Sequence, residues 1–258
     1  MKLFLRLFTL ILAETAITKP KDSLLQITEN LPPENEKQII PKIFHTIWFD
    51  FGKGNDVFPK YDKNMNQLLK LHPDWEFKLW REHEVIALIK ENVPEFLETF
   101  TNYEEPIKKH DSARIIILYL FGGVYLDQDF IPVRKINPLM KSYEFIIGNE
   151  DPSVFMPINA FIGSVKNHPL LKMLIQEMNN PEIAKKFVLE ATGPALLKKV
   201  MQKYVKIFGP KGIKVYSHKF FYPIAWYDKS TLQKLKKTTL KRAFPFCYLL
   251  QEYDANWK

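Results

Sequence analysis

Between His110 and Pro132 the chain reads HDSARIIILYLFGGVYLDQDFIP, which gathers four charged side chains around apolar sequence. Asp111 and Arg114 stand three apart at the head of a helical run, so they share a face. Gly122-Gly123 follows, where chain reversal is easy. Val124, Tyr125 and Leu126 then read as a short buried strand. Asp127 and Asp129 come next with period two, which in a continuing strand points both carboxylates to one side. Two same-face carboxylates at the end of a buried strand are costly unless a cation sits there. Hard oxygen ligands suit Mn²⁺ or Mg²⁺, and such ions bridge phosphate oxygens. Taken singly, each half has a plainer reading. An Asp-x-Asp arises by chance in many chains, and an Asp111–Arg114 pair on a helix surface is worth little.

The elements that must position these groups follow from periodicity. Ile39 to Phe51 is rich in β-branched and aromatic residues and predicts a first core strand, with Gly52-Lys-Gly54 as a loop. Helical spacing covers Tyr61 to Leu71. After the His72-Pro-Asp74 turn, Trp75 to Trp80 alternates as a second strand. Glu82 to Lys90 predicts a helix, Pro106 to Phe121 the central helix, and Val124 to Phe130 the central strand. Phe145-Ile146-Ile147 and Ala160 to Gly163 read as further strands. Helices are expected over Pro169 to Asn179 and, after Thr192-Gly-Pro194, over Ala195 to Phe208. Ile213 to Tyr216 reads as a late strand. Strands alternating with helices imply an α/β fold with a mostly parallel sheet. Ligands of such sheets bind beyond the carboxyl ends of strands, where Asp127 and Asp129 fall.

The bulk properties exclude several classes. The 258 residues suffice for one large domain or two small ones. The net charge of +8 comes from dispersed lysines, with clusters at Lys198-Lys199 and from Lys234 to Arg242. A solvated face accounts for this, and an anionic membrane surface or a phosphorylated ligand are the sharper alternatives. No ordered basic and aromatic motif of a nucleic-acid module is present, so no nucleic-acid partner is expected. Cys247 is the only cysteine, which excludes an internal disulfide and a cysteine zinc cage. Met1 to Ala16 has a basic start and an apolar run interrupted by Arg6 and Thr9. It is too short for a simple membrane-spanning helix, leaving a signal peptide, a shallow anchor or an amphipathic element. Lys19 to Gln38 is polar and reads as a linker. Residues 1–38 are therefore expected to be an apolar segment plus linker, and 39–258 the folded domain.

Asp-x-x-Arg, an apolar helix, and then Gly-Gly-Val-Tyr-Leu-Asp-Gln-Asp resemble the sugar-binding region of DXD-containing glycosyltransferases. The likeness is to yeast initiating α-1,6-mannosyltransferases, inositol-phosphoceramide mannosyltransferases and bacterial capsular sugar transferases, with clostridial glucosylating toxins more distant. Ile40-Pro-Lys-Ile-Phe-His-Thr-Ile-Trp48, Pro73-Asp-Trp-Glu-Phe-Lys-Leu-Trp80 and Ala191-Thr-Gly-Pro194 are similar to further motifs of that family, in the same order. The resemblance implies a GT-A-like nucleotide-sugar-binding fold and a metal-dependent, retaining transfer from a GDP- or UDP-sugar to a glycan, glycolipid or protein. It places Trp48 on the base, Asp111 and Arg114 on the donor sugar and its phosphate, and Asn159 on the donor sugar. Tyr125 and Asp127 would contact the ribose and sugar, with Asp127 near the metal and Asp129 ligating it. Members often end in a His-His-Trp-x-Gly-Ser-Trp-like segment that completes the metal site. Here Gln251 and Glu252 stand for the histidines and Asn256 for the serine, so Glu252 and Asn256 remain as oxygen ligands for Mn²⁺ or Mg²⁺.

Other readings stay open on the residues themselves. Trp48 and Tyr125 also fit as plain core, and His45 and His110 are assigned no chemistry. An apolar strand before Asp-x-Asp also resembles the nucleophile loop of haloacid-dehalogenase phosphohydrolases. A nucleotide-sugar-binding protein without transfer is a third alternative. The basic charge and the N-terminal apolar run point toward a membrane-associated location, peripheral or N-terminally anchored, with the cytoplasm as second choice.

Overall fold

The computed structural model describes residues 25–49, 59–234 and 239–253. Nine strands are described: β1 (Ile27–Thr28), β2 (Ile43–Ile47), β3 (Glu76–Trp80), β4 (Gly123–Leu126), β5 (Phe130–Pro132), β6 (Phe145–Asn149), β7 (Pro157–Ser164), β8 (Ile213–Tyr216) and β9 (Leu249–Gln251). The longer helices are α1 (Pro59–Leu71), α2 (Glu82–Asn92), α3 (Pro106–Phe121), α4 (Pro169–Met178) and α5 (Pro194–Phe208). Seven strands form one sheet in the order β1-β8-β6-β7-β4-β2-β3, and β5 and β9 form a second, two-stranded sheet. Only β7 runs against its neighbours β4 and β6; the other pairings of the large sheet are parallel. The expected α/β architecture with a mostly parallel central sheet is what the chain forms.

Alternation along the strands builds two cores. Tyr125 of β4, Phe145 and Ile147 of β6 and Ile162 of β7 pack with residues of α3, α4 and α5. Val124, Leu126, Ile146 and Phe161 point the other way, against Trp75, Phe220 and Phe221. Helix α3 starts with Pro106 at its first turn, where a missing N–H costs nothing. Residues Ser112 to Leu118 are buried on every side, so α3 is a central helix rather than an amphipathic cover. It ends as expected at Gly122, whose φ of 67° is followed by 91° at Gly123. A side chain on Gly122 would meet the Lys166 amide nitrogen at 2.7 Å, so the reversal requires glycine twice over.

Two expectations change, and one strand has a direction the sequence does not reveal. The strand expected over Val124 to Phe130 is broken: β4 stops at Leu126, a turn holds Asp127 to Asp129, and Phe130 opens β5 in the other sheet. Part of the stretch read as a linker is an edge strand, with Ile27 beside Val215 and Thr28 beside Tyr216. Two-residue strands leave no period for sequence to show. Ala160 to Gly163 is the middle of antiparallel β7, which a rule of alternating strands and helices does not reveal. Phe51 and the Gly52-Lys-Gly54 loop lie outside the described residues, as does Met1 to Ala16. No helix among the described residues is long and apolar enough to cross a membrane.

Candidate active site at the carboxyl edge of the sheet

Because six strands of the large sheet run one way, their carboxyl ends share one edge. Trp48 follows β2 there, Asp127 follows β4, Glu150 follows β6, and Tyr222 lies shortly after β8. Asn159 joins them because β7, running backwards, begins at this edge.

The centre is a buried ionic network. The Arg114 guanidinium reaches Asp111 Oδ1 through Nη2 at 3.0 Å and Asp127 Oδ1 through Nη1 at 3.3 Å. Nη1 also donates to the Asn159 carbonyl at 2.8 Å, and the guanidinium lies over the Tyr125 ring, 4.7 Å from its centroid. Asp111 Oδ1 accepts from Asn159 Nδ2 at 2.9 Å, and its Oδ2 accepts from the Thr192 hydroxyl at 3.1 Å. The Tyr125 hydroxyl donates to Asp127 Oδ1 at 2.8 Å. The plain surface ion pair is thus excluded, since the Asp111 and Arg114 side chains are 6% and 4% exposed. Asp127, at 30%, is the network's outlet to solvent. Burial raises the Asp111 carboxyl to about 6 even though Arg114, Thr192 and Asn159 pull it down, and Asp127 pushes with burial. A cation so enclosed holds two carboxylates in fixed positions and makes the site electrostatically preorganised.

Tyr125 and Asp127 keep the period-two relation, as their hydrogen bond shows. Asp129 does not, because the turn intervenes. It reaches the same region by a different route, through its partner strand. β5 and β9 pair antiparallel, Gln251 stands opposite Phe130, and the Glu252 amide donates to the Asp129 carbonyl at 2.8 Å. The C-terminal segment therefore comes to the Asp-x-Asp turn. The Glu252 carboxylate accepts from Asn64 of α1 at 3.1 Å. Gln128, between the two aspartates, donates to the Ile47 carbonyl at 2.5 Å and so ties the turn to the end of β2. Trp48 is half-buried just beyond that end, its amide donating to the Trp80 carbonyl at 2.9 Å.

Asp127, Asp129 and Glu252 bring carboxylates to this edge, and carboxylate oxygens are the kind of donor a hard divalent cation takes. Among the described residues no group of three or more carboxylate, histidine or cysteine side chains is arranged to hold a metal ion. A cation here would keep coordination positions for phosphate and water, as Mg²⁺ and Mn²⁺ do in nucleotide sites. Asn256 lies outside the described residues.

His45 and His110 fill structural positions. The Trp80 indole donates to His45 Nδ1 at 3.1 Å, so Nε2 carries the proton and donates to the Gly122 carbonyl at 2.9 Å. His110 packs against Phe49 with ring centroids 4.6 Å apart. Burial holds His45 down at about 4 and His110 at about 3, so both are neutral. The sequence reading passed over Thr192, Gln128, Glu150 and Tyr222. Thr192 stood inside a quoted motif, but nothing local links it to Asp111, 81 positions away.

Fold and site define a class: an α/β protein with a buried Asp-Arg-Asp network and further carboxylates at the carboxyl edge of a mostly parallel sheet. Residues 59–146, which run from α1 into β6, match the family described as the glycosyltransferase sugar-binding region containing a DXD motif. The chain carries that glycosyltransferase region. It is 31% identical to the mannosyl phosphorylinositol ceramide synthase SUR1 of Saccharomyces cerevisiae, over 78% of this chain and 54% of that protein. It is 28% identical to inositol phosphoceramide mannosyltransferase 1 of Schizosaccharomyces pombe, over 71% of this chain and 58% of that protein. The chain thus spans about half the length of the curated relatives it matches. Among solved structures it is similar to the PaToxG glycosyltransferase, at 19% identity and a TM-score of 0.48, covering 66% of this chain and 70% of that one.

Proposed function

We propose that this chain transfers a hexose, mannose by its kinship, from a nucleoside diphosphate sugar to a hydroxyl of a glycolipid headgroup, with retention at the anomeric carbon. The observation that carries this is the Asp111–Arg114–Asp127 network, closed by Asn159 and Thr192 and opening to solvent at Asp127. The glycosyltransferase region favours this reading over a haloacid-dehalogenase phosphohydrolase, and a glycolipid acceptor matches the names of the relatives.

Each group has a task that its position supports. Asp127 and Asp129, with Glu252 beside them, would hold Mn²⁺ or Mg²⁺, which supplies charge to offset the departing diphosphate. Trp48 offers an aromatic face to the base at the end of β2. Asp127, at the network's outlet, orients the donor sugar. Asp111 and Asn159 hold Arg114, and Arg114 in turn holds Asp127, so the site does not reorganise as charge develops. In the transfer, the bond between the anomeric carbon and the diphosphate oxygen breaks. The acceptor hydroxyl oxygen bonds to that carbon from the same face, and its proton passes to the leaving phosphate oxygen. No side chain needs to act as a covalent nucleophile.

The test is release of GDP or UDP from a panel of nucleotide sugars, with Mn²⁺ and with chelator. Metal-dependent release from one donor, abolished in Asp129→Ala, is the expected result. Donor binding without release or transfer would mark a binding protein instead.

A further inference from the structure

A second polar cluster lies at the same edge, beyond the ends of β6 and β8 and two strands or more from Asp127, and neither the motifs nor the ionic network account for it. The Tyr222 side chain is among the largest fully buried ones and sits in a cleft made by Gly148. A Cβ on Gly148 would lie 2.7 Å from the Tyr222 ring and 2.6 Å from the Phe221 ring, so no other residue leaves that cleft open. The Phe221 ring is itself stacked on Phe161 at 4.1 Å, which fixes the pair. Yet the Tyr222 hydroxyl, on a residue 2% exposed, has no hydrogen-bond partner among the described residues. The charges it feels are those of Tyr253, Glu150, Asp127 and Asp129. A buried hydroxyl that lies within the field of four oxygen groups and is hydrogen-bonded to none of them asks for a bridging ligand.

Its neighbours are held in place. Asn149, fully buried, accepts from the Met156 amide at 2.6 Å and donates to the Val154 carbonyl at 3.0 Å, closing the loop that presents Glu150. Tyr253, against Glu150, stands in the left-handed region with φ 54°, a conformation that an aromatic residue keeps only under constraint. It follows Glu252 directly, so the segment that reaches Asp129 also reaches Glu150.

Resting on the transferase reading above, we propose that Tyr222, Glu150 and Tyr253 form the acceptor subsite, taking the hydroxyls of a polyol ring. A diphosphate does not suit this corner, because the Glu150, Asp127 and Asp129 carboxylates surround it. Neutral hydroxyls do suit it. They donate to Glu150 and Asp129, accept from Tyr222, and can lie against the aromatic faces of Tyr222 and Tyr253. Such a ring would bridge Tyr222 to Asp127, which places one of its hydroxyls beside the donor sugar.

The experiment compares wild type with Tyr222→Phe and Glu150→Gln, using the donor that the panel selects, with Mn²⁺. Two rates are read: donor hydrolysis in water, and transfer to short-chain inositol phosphoceramide in micelles or to octyl α-D-mannoside. Thermal unfolding of the free proteins is read alongside. The ratio of transfer to hydrolysis is expected to fall about tenfold or more in each variant, with a raised acceptor KM, while Tyr222→Phe unfolds no earlier than wild type. An unchanged ratio would overturn the subsite, as would a loss of hydrolysis equal to that of transfer. A lower unfolding temperature for Tyr222→Phe would show that the hydroxyl is structural, which also overturns it. If wild type releases no nucleoside diphosphate from any donor, the transferase reading falls first and the subsite with it.

Discussion

Arg114 is the residue on which the site's geometry depends most. It is a buried cation between two carboxylates, and its planar fork meets Asp111, Asp127 and the Asn159 carbonyl at once. Arg114→Met leaves two carboxylates facing each other without compensation, at an expected cost of about 3–5 kcal/mol in urea unfolding. Arg114→Lys keeps the charge but loses the fork, so it should fold better than the methionine variant and still release donor slowly. Thr192→Val is the gentler probe. It removes the donor to Asp111 Oδ2, and with it a longer contact to the Val188 carbonyl, at about 1–3 kcal/mol, and should raise the Asp111 pKa further from its value near 6, as carboxyl titration by NMR would show. The histidines set a pH dependence. His45 and His168 are held near 4 by burial, below the unfolded value of 6.5, so the unfolded chain binds protons first on acidification. The stability they contribute is present above pH 6.5 and is lost as pH falls toward 4, roughly 3 kcal/mol for His45. Asp111 and Glu150, raised by burial to about 6 and about 7, carry the opposite sign. The difference between wild type and His45→Gln isolates the histidine. Its stability gap, measured by urea at pH 7 and pH 5, should narrow at the lower pH, and a constant gap would refute a neutral buried His45.

At the scale of elements, the two-stranded sheet has a single clasp. Arg134, just beyond β5, donates to the carbonyls of Lys241 at 2.9 Å, Phe244 at 3.2 Å and Cys247, while its own amide donates to the Tyr248 carbonyl at 3.0 Å. These contacts guide the chain into β9 and so to Glu252 and Asp129. Arg134→Met should leave the large sheet intact but loosen residues 241–251. Hydrogen exchange would report this as faster exchange there alone, and Mn²⁺-dependent GDP affinity should weaken in parallel. The clasp also shows how far sequence could be read. α3 and its Gly122-Gly123 ending were legible residue by residue, since helical spacing, an N-terminal proline and a glycine stop are local signals. Asp111, Arg114, Tyr125, Asp127 and Asn159 were legible through the motif and do meet. The Asp127–Asp129 turn was misread as strand because apolar Phe130 and Ile131 continue the pattern into a different sheet. Thr192, Tyr222 and Glu150 were invisible because their partners are set by which strands are neighbours, not by spacing along the chain.

For the molecule as a whole, the parallel sheet explains why so many separate segments serve one site. Six strand ends on one edge give Trp48, Asp127, Glu150 and Tyr222 a common address, and antiparallel β7 contributes Asn159 from its start. Edge strand β1 closes the far side, where Leu25 is buried and the Ser217 amide donates to the Thr28 carbonyl at 2.9 Å. Deleting residues 25–30 should therefore cost stability, not merely shorten a tail. It exposes the β8 edge near Tyr222 and should lower the unfolding temperature by several degrees, whereas a true linker would give no change.

The pairing of β5 with β9 also sets an order in time. β5 ends at Pro132 and its partner begins at Leu249, so on the ribosome the Asp-x-Asp turn waits for the whole stretch from Val133 to Tyr248 before the strand that braces it exists. Closing so long a loop is slow and comes after the large sheet has its central strands. Until then Asp129 has no strand beside it and Glu150 no tyrosine. A nascent chain that stops before β9 can thus hold the strands of the large sheet while its Asp-x-Asp turn still lacks the strand that braces it.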